Sequence, residues 1–260
     1  MPEFLKTCLI IFPLVFLAGF IDSVAGGGGI ISIPAYFVAG LPTRLSLGTN
    51  KFVACCGTSL SAYNYLKNGK SDLKVGAVSA VGSLIGSAIG TSLALIIPES
   101  ILKTALMIII PIIAIFLAVK KNFGESEEET KFSPLKTAII AFIIGICIGC
   151  YDGLIGPGTG TFLIMAFSGI LKMDLLKASG CAKISNLASN LASLLIYALN
   201  GEVYFLLGIP AAIFCMAGNL FGTKFAIRGG SKNVRKVMFV VLALLIVKTV
   251  MDMLGITIGG

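Results

Sequence analysis

Residues 19–29 read G-F-I-D-S-V-A-G-G-G-G, and residues 149–159 read G-C-Y-D-G-L-I-G-P-G-T. At a constant offset of 130, Gly19 matches Gly149, Asp22 matches Asp152, Gly26 matches Gly156 and Gly28 matches Gly158. A second match follows at an offset of 132. L-G-T-N-K ends at Lys51 and S-G-C-A-K ends at Lys183, with Gly48 on Gly180 and Tyr65 on Tyr197. A single shared glycine would be chance. An acid, several glycines, a lysine and a tyrosine in one order argue for an internal duplication.

The surroundings of these stretches fix the class. Of 260 residues, 57 % are hydrophobic and only 12 % charged. The mean hydropathy is +1.00. A soluble domain carries about a quarter charged residues and could not hide so much apolar surface, so the chain reads as an all-α polytopic membrane protein. There is no His, which excludes a His-ligated metal site and a His-based triad. The seven cysteines sit in apolar runs, and C-I-G-C at 147–150 has no second pair, so they read as buried thiols. No metal is expected. Lys6 is a thin basic start with no A-x-A site after it, so the first apolar run reads as a retained helix.

Ten apolar segments can be marked, at about 4–24, 29–40, 45–66, 75–97, 101–119, 135–152, 159–171, 178–199, 203–223 and 237–254. Most are long enough to span about 30 Å of hydrocarbon at 1.5 Å per residue. Two are short, 29–40 and 159–171, and each follows a glycine break. The long polar stretch 120–136 separates the halves. The expected organisation is a first transmembrane repeat over 1–119, a cytoplasmic linker over 120–136 and a second repeat over 137–260.

The net charge of +8 is a topology signal rather than a sign of nucleic acid. Suppose each short segment and the helix before it make an even number of crossings. The loops 67–74, 120–136, 171–177 and 224–236 then share one side, with 14 basic residues against 3. One net crossing per pair would give 8 against 9. The positive-inside rule selects the even reading. The halves are then inverted, each a Gly-broken helix or re-entrant hairpin plus three further spans, and both termini lie outside. Ten spans and six spans plus two hairpins both satisfy the charge count.

Charges at bilayer depth normally face a partner or a cavity. Lys51 and Lys183 recur at one place in both halves, so they read as a cationic site for an anion, as salt bridges to Asp22 or Asp152, or as both. Asp22 and Asp152 are candidates for gating or proton coupling. Backbone that leaves helical form in a membrane must line a cavity or be buried in protein, and a helix beginning there offers N–H groups and a positive dipole end. Gly28, Gly29 and Ser32, with Gly158, Thr159 and Thr161, are therefore candidate anion contacts. Asn50 and Asn186 add polar groups near the lysines, as do Asn64 and Asn190. Lys248 and Asp252, four apart, read as a structural pair. Gly76, Gly82, Gly86 and Gly90 read as a helix-packing face.

The first stretch, with L-P-T-R-L-S-L-G-T-N-K after it, resembles the signature of the sulfite exporter TauE/SafE family, and G-C-Y-D-G-L-I-G-P-G-T-G-T-F is similar to that family's second signature. The resemblance covers nearly the whole chain. It implies a multi-pass permease of the inner membrane with two homologous halves, moving sulfite, a sulfonate or another organosulfur anion, with no cofactor. Ala182 stands where the first half has Asn50, so the halves are not expected to bind alike. The leading expectation is thus a secondary transporter of a small anion, not an enzyme, with the lipid bilayer as its surroundings. An anion channel is the alternative. An intramembrane aspartyl protease is the enzyme alternative, and the chain lacks the G-x-G-D that such enzymes carry.

Overall fold

The computed structural model describes residues 2–102, 104 and 132–253. Most of segment 101–119, most of the linker 120–136 and the side chains of Lys248 and Asp252 lie outside the described residues. Every regular element described is a helix. The order is α1 (Pro2–Ala25), α2 (Gly29–Val38), α3 (Thr43–Lys67), α4 (Leu73–Ile96), α5 (Pro134–Leu154), α6 (Thr159–Gly169), α7 (Leu175–Leu199) and α8 (Phe205–Met253). Helix α8 is broken at Gly230, whose φ of 59° and ψ of −155° leave the helical region. Local signals set several starts. Asp72 accepts the N–H groups of Lys74 and Val75, Asp174 those of Leu176 and Lys177, and Pro134 follows the Ser133 cap.

Among the described residues, four stretches are long and apolar enough to cross a membrane: Thr7–Ala25, Leu73–Ile96, Pro134–Leu154 and Phe205–Phe239. Helices α3 and α7, at 25 residues each, have the length but not the apolarity. The reason lies in their buried faces, which carry Thr49, Lys51, Thr58 and Ser61 on α3 and Lys183, Ser185, Asn186, Ser189, Asn190 and Ser193 on α7. The outward faces are apolar, with Val81, Ile85, Ile89 and Leu93 on α4 and Ile209, Ile213 and Phe221 on α8 exposed. Apolar side chains such as Ile33, Leu163, Ile164 and Phe167 also fill the interior, so the polar faces of α3 and α7 form a stripe inside an otherwise apolar bundle whose outer surface is apolar too.

Glycines set the helix crossings. A Cβ on Gly82, Gly86 or Gly90 of α4 would strike the carbonyl oxygens of Phe142, Ile146 and Cys150 on α5. Gly145 and Gly153 of α5 stand against Ser79 O and Ser87 O in return. The two helices run parallel, backbone on backbone. Helix α1 lies parallel to the first part of α8 in the same manner, with Phe12 stacked on Phe214 at 4.7 Å and Phe20 tilted against Phe225 at 5.7 Å. These contacts repeat under exchange of the halves. Gly86 faces Ile146 O and Gly218 faces Phe16 O, while Gly48 faces Glu202 O and Gly180 faces Lys70 O. Gly76 meets α7, at Ile184, instead of α5.

Buried hydroxyls join the helices further in. Ser185 bridges Ser79 and Ser83 at 2.8 and 2.6 Å, and Ser193 bridges Ser87 and Thr91 at 2.6 and 2.7 Å. On α3, Ser61 joins Asn219 and Thr223 of α8.

The connections gather at two ends. At one, Asp72 N–H bonds Cys181 Sγ, Ser231 bonds Asp174, and a cavity of about 440 Å³ opens between loops 67–74 and 171–177. At the other, Thr43 N–H bonds Glu99, Arg44 bonds Ile97 O and Tyr204 N–H bonds Thr49. Three basic loops thus share one end.

One sequence expectation is corrected. Cys8, Cys55, Cys181 and Cys215 are buried, but Cys147 is exposed and Cys150 half-buried. The face of α5 that packs on α4 carries Gly145, Gly149 and Gly153, which turns Cys147 outward.

Replacing Gly86 or its counterpart Gly218 by Val should cost about 1–3 kcal/mol by overpacking. Thermal unfolding in detergent checks this, and Ala77→Val on the exposed side of α4 should leave the midpoint nearly unchanged.

Candidate functional site

The site forms where the two broken segments meet. Helix α1 carries Asp22 in its last turn and is followed by Gly26, whose φ is +80°; α5 carries Asp152 in its last turn and is followed, after Ile155, by Gly156, whose φ is +94°. Both conformations are left-handed, which glycine adopts without a Cβ penalty. Each chain then turns into a short helix, α2 or α6. Gly158 is also left-handed at φ +84°, whereas Gly28 is helical at φ −58°. Gly28 is needed for room, because a Cβ there would sit 2.7 Å from Ala18 O and Asp22 Cβ.

The two breaks are stapled together. Thr161 N–H donates to Gly26 O at 3.3 Å and its hydroxyl to Ala25 O at 2.7 Å. The backbones of Gly26 and Gly160 come so close that neither position has room for a Cβ.

The lysines arrive from the two polar helices and pair crosswise. Lys51 of α3 lies 2.7 Å from Asp152 Oδ2 and also donates to Asp152 O at 2.8 Å. Lys183 of α7 lies 2.8 Å from Asp22 Oδ2. Each lysine thus binds the aspartate of the other half. Thr159 and Ser189 donate to Asp152 at 2.8 and 2.6 Å, and Thr58 makes a long 3.5 Å contact to Asp22. Two cations and two anions stand within one buried cluster, which compensates charges that are costly at bilayer depth.

Two cavities of about 30 Å³ each adjoin the cluster. Each has room for a water molecule or two. The first is bordered by Asp22, Gly29, Asn50, Lys51, Asp152, Gly158, Thr159 and Asn186 among the expected residues, together with Asn190. The second is bordered by Asp22, Gly28, Gly29, Ser32 and Asn50. Ser32 donates to Asn50 Oδ1 at 2.6 Å, and Asn190 to Asn186 Oδ1 at 3.2 Å.

Lys183 and Thr161 do not border either cavity. Lys183 is fully buried behind Asp22, and Thr161 is spent on the staple. Asn64 also lies away from them. Sequence reading missed Ser189 as a donor to Asp152. It also missed Ile33, Leu47, Ala54 and Ile155 in the cavity wall, where apolar residues in apolar helices carry no distinguishing signal. Among the described residues, no three His, Cys, Asp or Glu side chains come together as a metal site.

The model of the family described as "Sulfite exporter TauE/SafE" matches residues 11–249, so its span includes both breaks and both lysines. The chain belongs to the TauE/SafE family. It is 32 % identical over 242 residues to "Probable membrane transporter protein ORF9" of Sinorhizobium sp, covering 93 % of this chain and 92 % of that one. It is 31 % identical over 246 residues to "Probable membrane transporter protein YfcA" of Escherichia coli K12, covering 95 % and 90 %. A "Probable membrane transporter protein" of Haemophilus influenzae is 31 % identical over 243 residues, covering 94 % of each. No solved structure gives a significant match. The protein is thus a multi-pass membrane transporter of the TauE/SafE family.

Breaking the Lys51–Asp152 pair by Asp152→Asn should cost about 3–5 kcal/mol, because it leaves a buried lysine uncompensated. The double variant K51M/D152N should recover most of that loss. A thermal-denaturation cycle on the four proteins reads both.

Proposed function

We propose that the chain is a secondary transporter of a small oxyanion such as sulfite, a sulfonate or another organosulfur anion, working in the inner membrane. The observation that carries this reading is the crossed Lys–Asp cluster at two stapled helix breaks, with Lys51 bordering a polar cavity. Lys51 spends two donors on Asp152 and has a third for an anion. The N-termini of α2 and α6 add positive dipole ends, and Asn50, Asn186 and Asn190 supply amides. Ser32, Gly28, Gly29, Gly158 and Thr159 form the walls of the proposed binding space. Lys183 acts through Asp22, and the two aspartates gate the site.

At about 30 Å³ the cavities hold water rather than an oxyanion, so the substrate enters by a rearrangement. Residues 1–119 and 137–260 serve in this proposal as inverted duplicates that exchange roles. The exchange-related glycine contacts and the crossed ion pairs support it. The gathering of basic loops at one end supports placing that end, with the linker, in the cytoplasm and both termini outside.

Uptake of labelled sulfite into proteoliposomes tests the reading. Wild type should show saturable uptake with counter-flow, which a channel would not give. Lys51→Ala should lower the rate about 10–100-fold, the loss of a charged hydrogen bond of about 1.5–3 kcal/mol. Unchanged uptake in both Lys51→Ala and Lys183→Ala would remove the lysines from the mechanism. For orientation, single cysteines at Asn68 and Lys232 should label from the cytoplasmic side and at Ser100 and Gly201 from the opposite side.

A further inference from the structure

The matched aspartates stand in unmatched surroundings. Asp152 is saturated. Lys51 and Ser189 bond its Oδ2, Thr159 bonds its Oδ1, and its side chain is only 4 % exposed. Asp22 has Lys183 at 2.8 Å and Thr58 at 3.5 Å, both on Oδ2. Its Oδ1 has no donor among the described residues. The side chain is 17 % exposed and borders both cavities. The repeat accounts for the difference. Thr159 has Gly29 as its counterpart at offset 130, and Ser189 has Gly57 at offset 132. Neither glycine has a hydroxyl to give.

We propose that Asp22 alone takes up and releases a proton that travels with the anion, while Asp152 stays the fixed partner of Lys51. This rests on the transporter reading. The four charged groups sum to zero, and an anion entering the cluster adds one negative charge that a buried site tolerates poorly. A proton that arrives from bulk solvent on the anion's side and bonds to Asp22 Oδ1 cancels it. The Lys183–Asp22 ion pair becomes a hydrogen bond to a neutral acid, and the Lys183 charge is balanced by the anion instead. When the anion leaves, the proton leaves Oδ1 and the pair reforms. Anion and proton therefore move in one direction, one proton for each singly charged anion. The other groups facing Asp22 are Lys183 from α7, Thr58 and Tyr65 from α3, and Cys215 from α8, with Lys51 across the cavity. Helix α6 carries no titratable side chain, and α2 carries only Tyr36.

Lowering the pH drives the same protonation of Asp22 without the anion, so infrared difference spectroscopy of the purified full chain across an acid titration needs no substrate; the band read is the C=O component that wild type shows beyond those of the other carboxyls. Wild type should show a band that is missing in Asp22→Asn. It should also be missing in D22N/K183M, which removes both charges and leaves no lone buried lysine. K51M/D152N should retain the band. A band that survives both Asp22 variants, or that disappears from folded K51M/D152N, overturns the assignment, as does a wild type with no band. Because the spectrum is taken without substrate, an Asp22 band in a protein that moves no anion would sink the transporter reading alone. Transport without the band would sink only the assignment.

Discussion

Four ionised side chains sit in the interior of a bundle whose outside is hydrocarbon, and each must find a counter-charge within hydrogen-bond reach. The crossed pairs Lys51–Asp152 and Lys183–Asp22 meet that demand. Much else follows from it. The lysine-bearing helices α3 and α7 must lie inside, so their buried faces can be polar at little cost. The helices around them must approach closely enough to seal the centre, and the glycine rows of α4, α5 and α8 allow that approach. Apolar residues fill the rest of the interior and cover the exterior.

Within this frame the scaffold and the tips behave differently. The scaffold contacts repeat under exchange of the halves to the level of individual carbonyls. At the tips the repetition fails. Gly158 is left-handed where Gly28 is helical, and Thr161 staples one break to the other. Asp152 gathers hydroxyl donors that Asp22 lacks. Related helix contacts thus surround two ion pairs with unequal surroundings, one saturated with donors and one bordering both cavities.

Much of this was legible in the chain. The apolar composition, the glycine breaks and the rows at Gly82, Gly86 and Gly90 each have one dominant physical use, so periodicity and spacing identify them. The matched Asp and Lys were legible because duplication repeats only what the fold keeps. What sequence did not decide was pairing. Whether Lys51 meets Asp22 or Asp152 depends on how the halves interlock, and no local signal carries that. The same holds for Ser189, one serine among many on α7, and for the withdrawal of Lys183 from the cavity wall. The buried reading of Cys147 failed because an apolar segment in a membrane has two apolar faces, and hydropathy alone does not say which one meets lipid.

The pairing of α1 with α8 has a consequence for how the molecule is made. Helix α1 finds its packing partner only once α8, far later in the chain, is inserted. Until then its glycine face and Asp22 stand in the bilayer without the groups that later cover them, and α4 likewise waits for α5 across the linker. Neither half buries its own charges. Pairing of all the buried charges is therefore a late event, and a nascent chain stopped before α7 holds two aspartates and a single lysine to receive them.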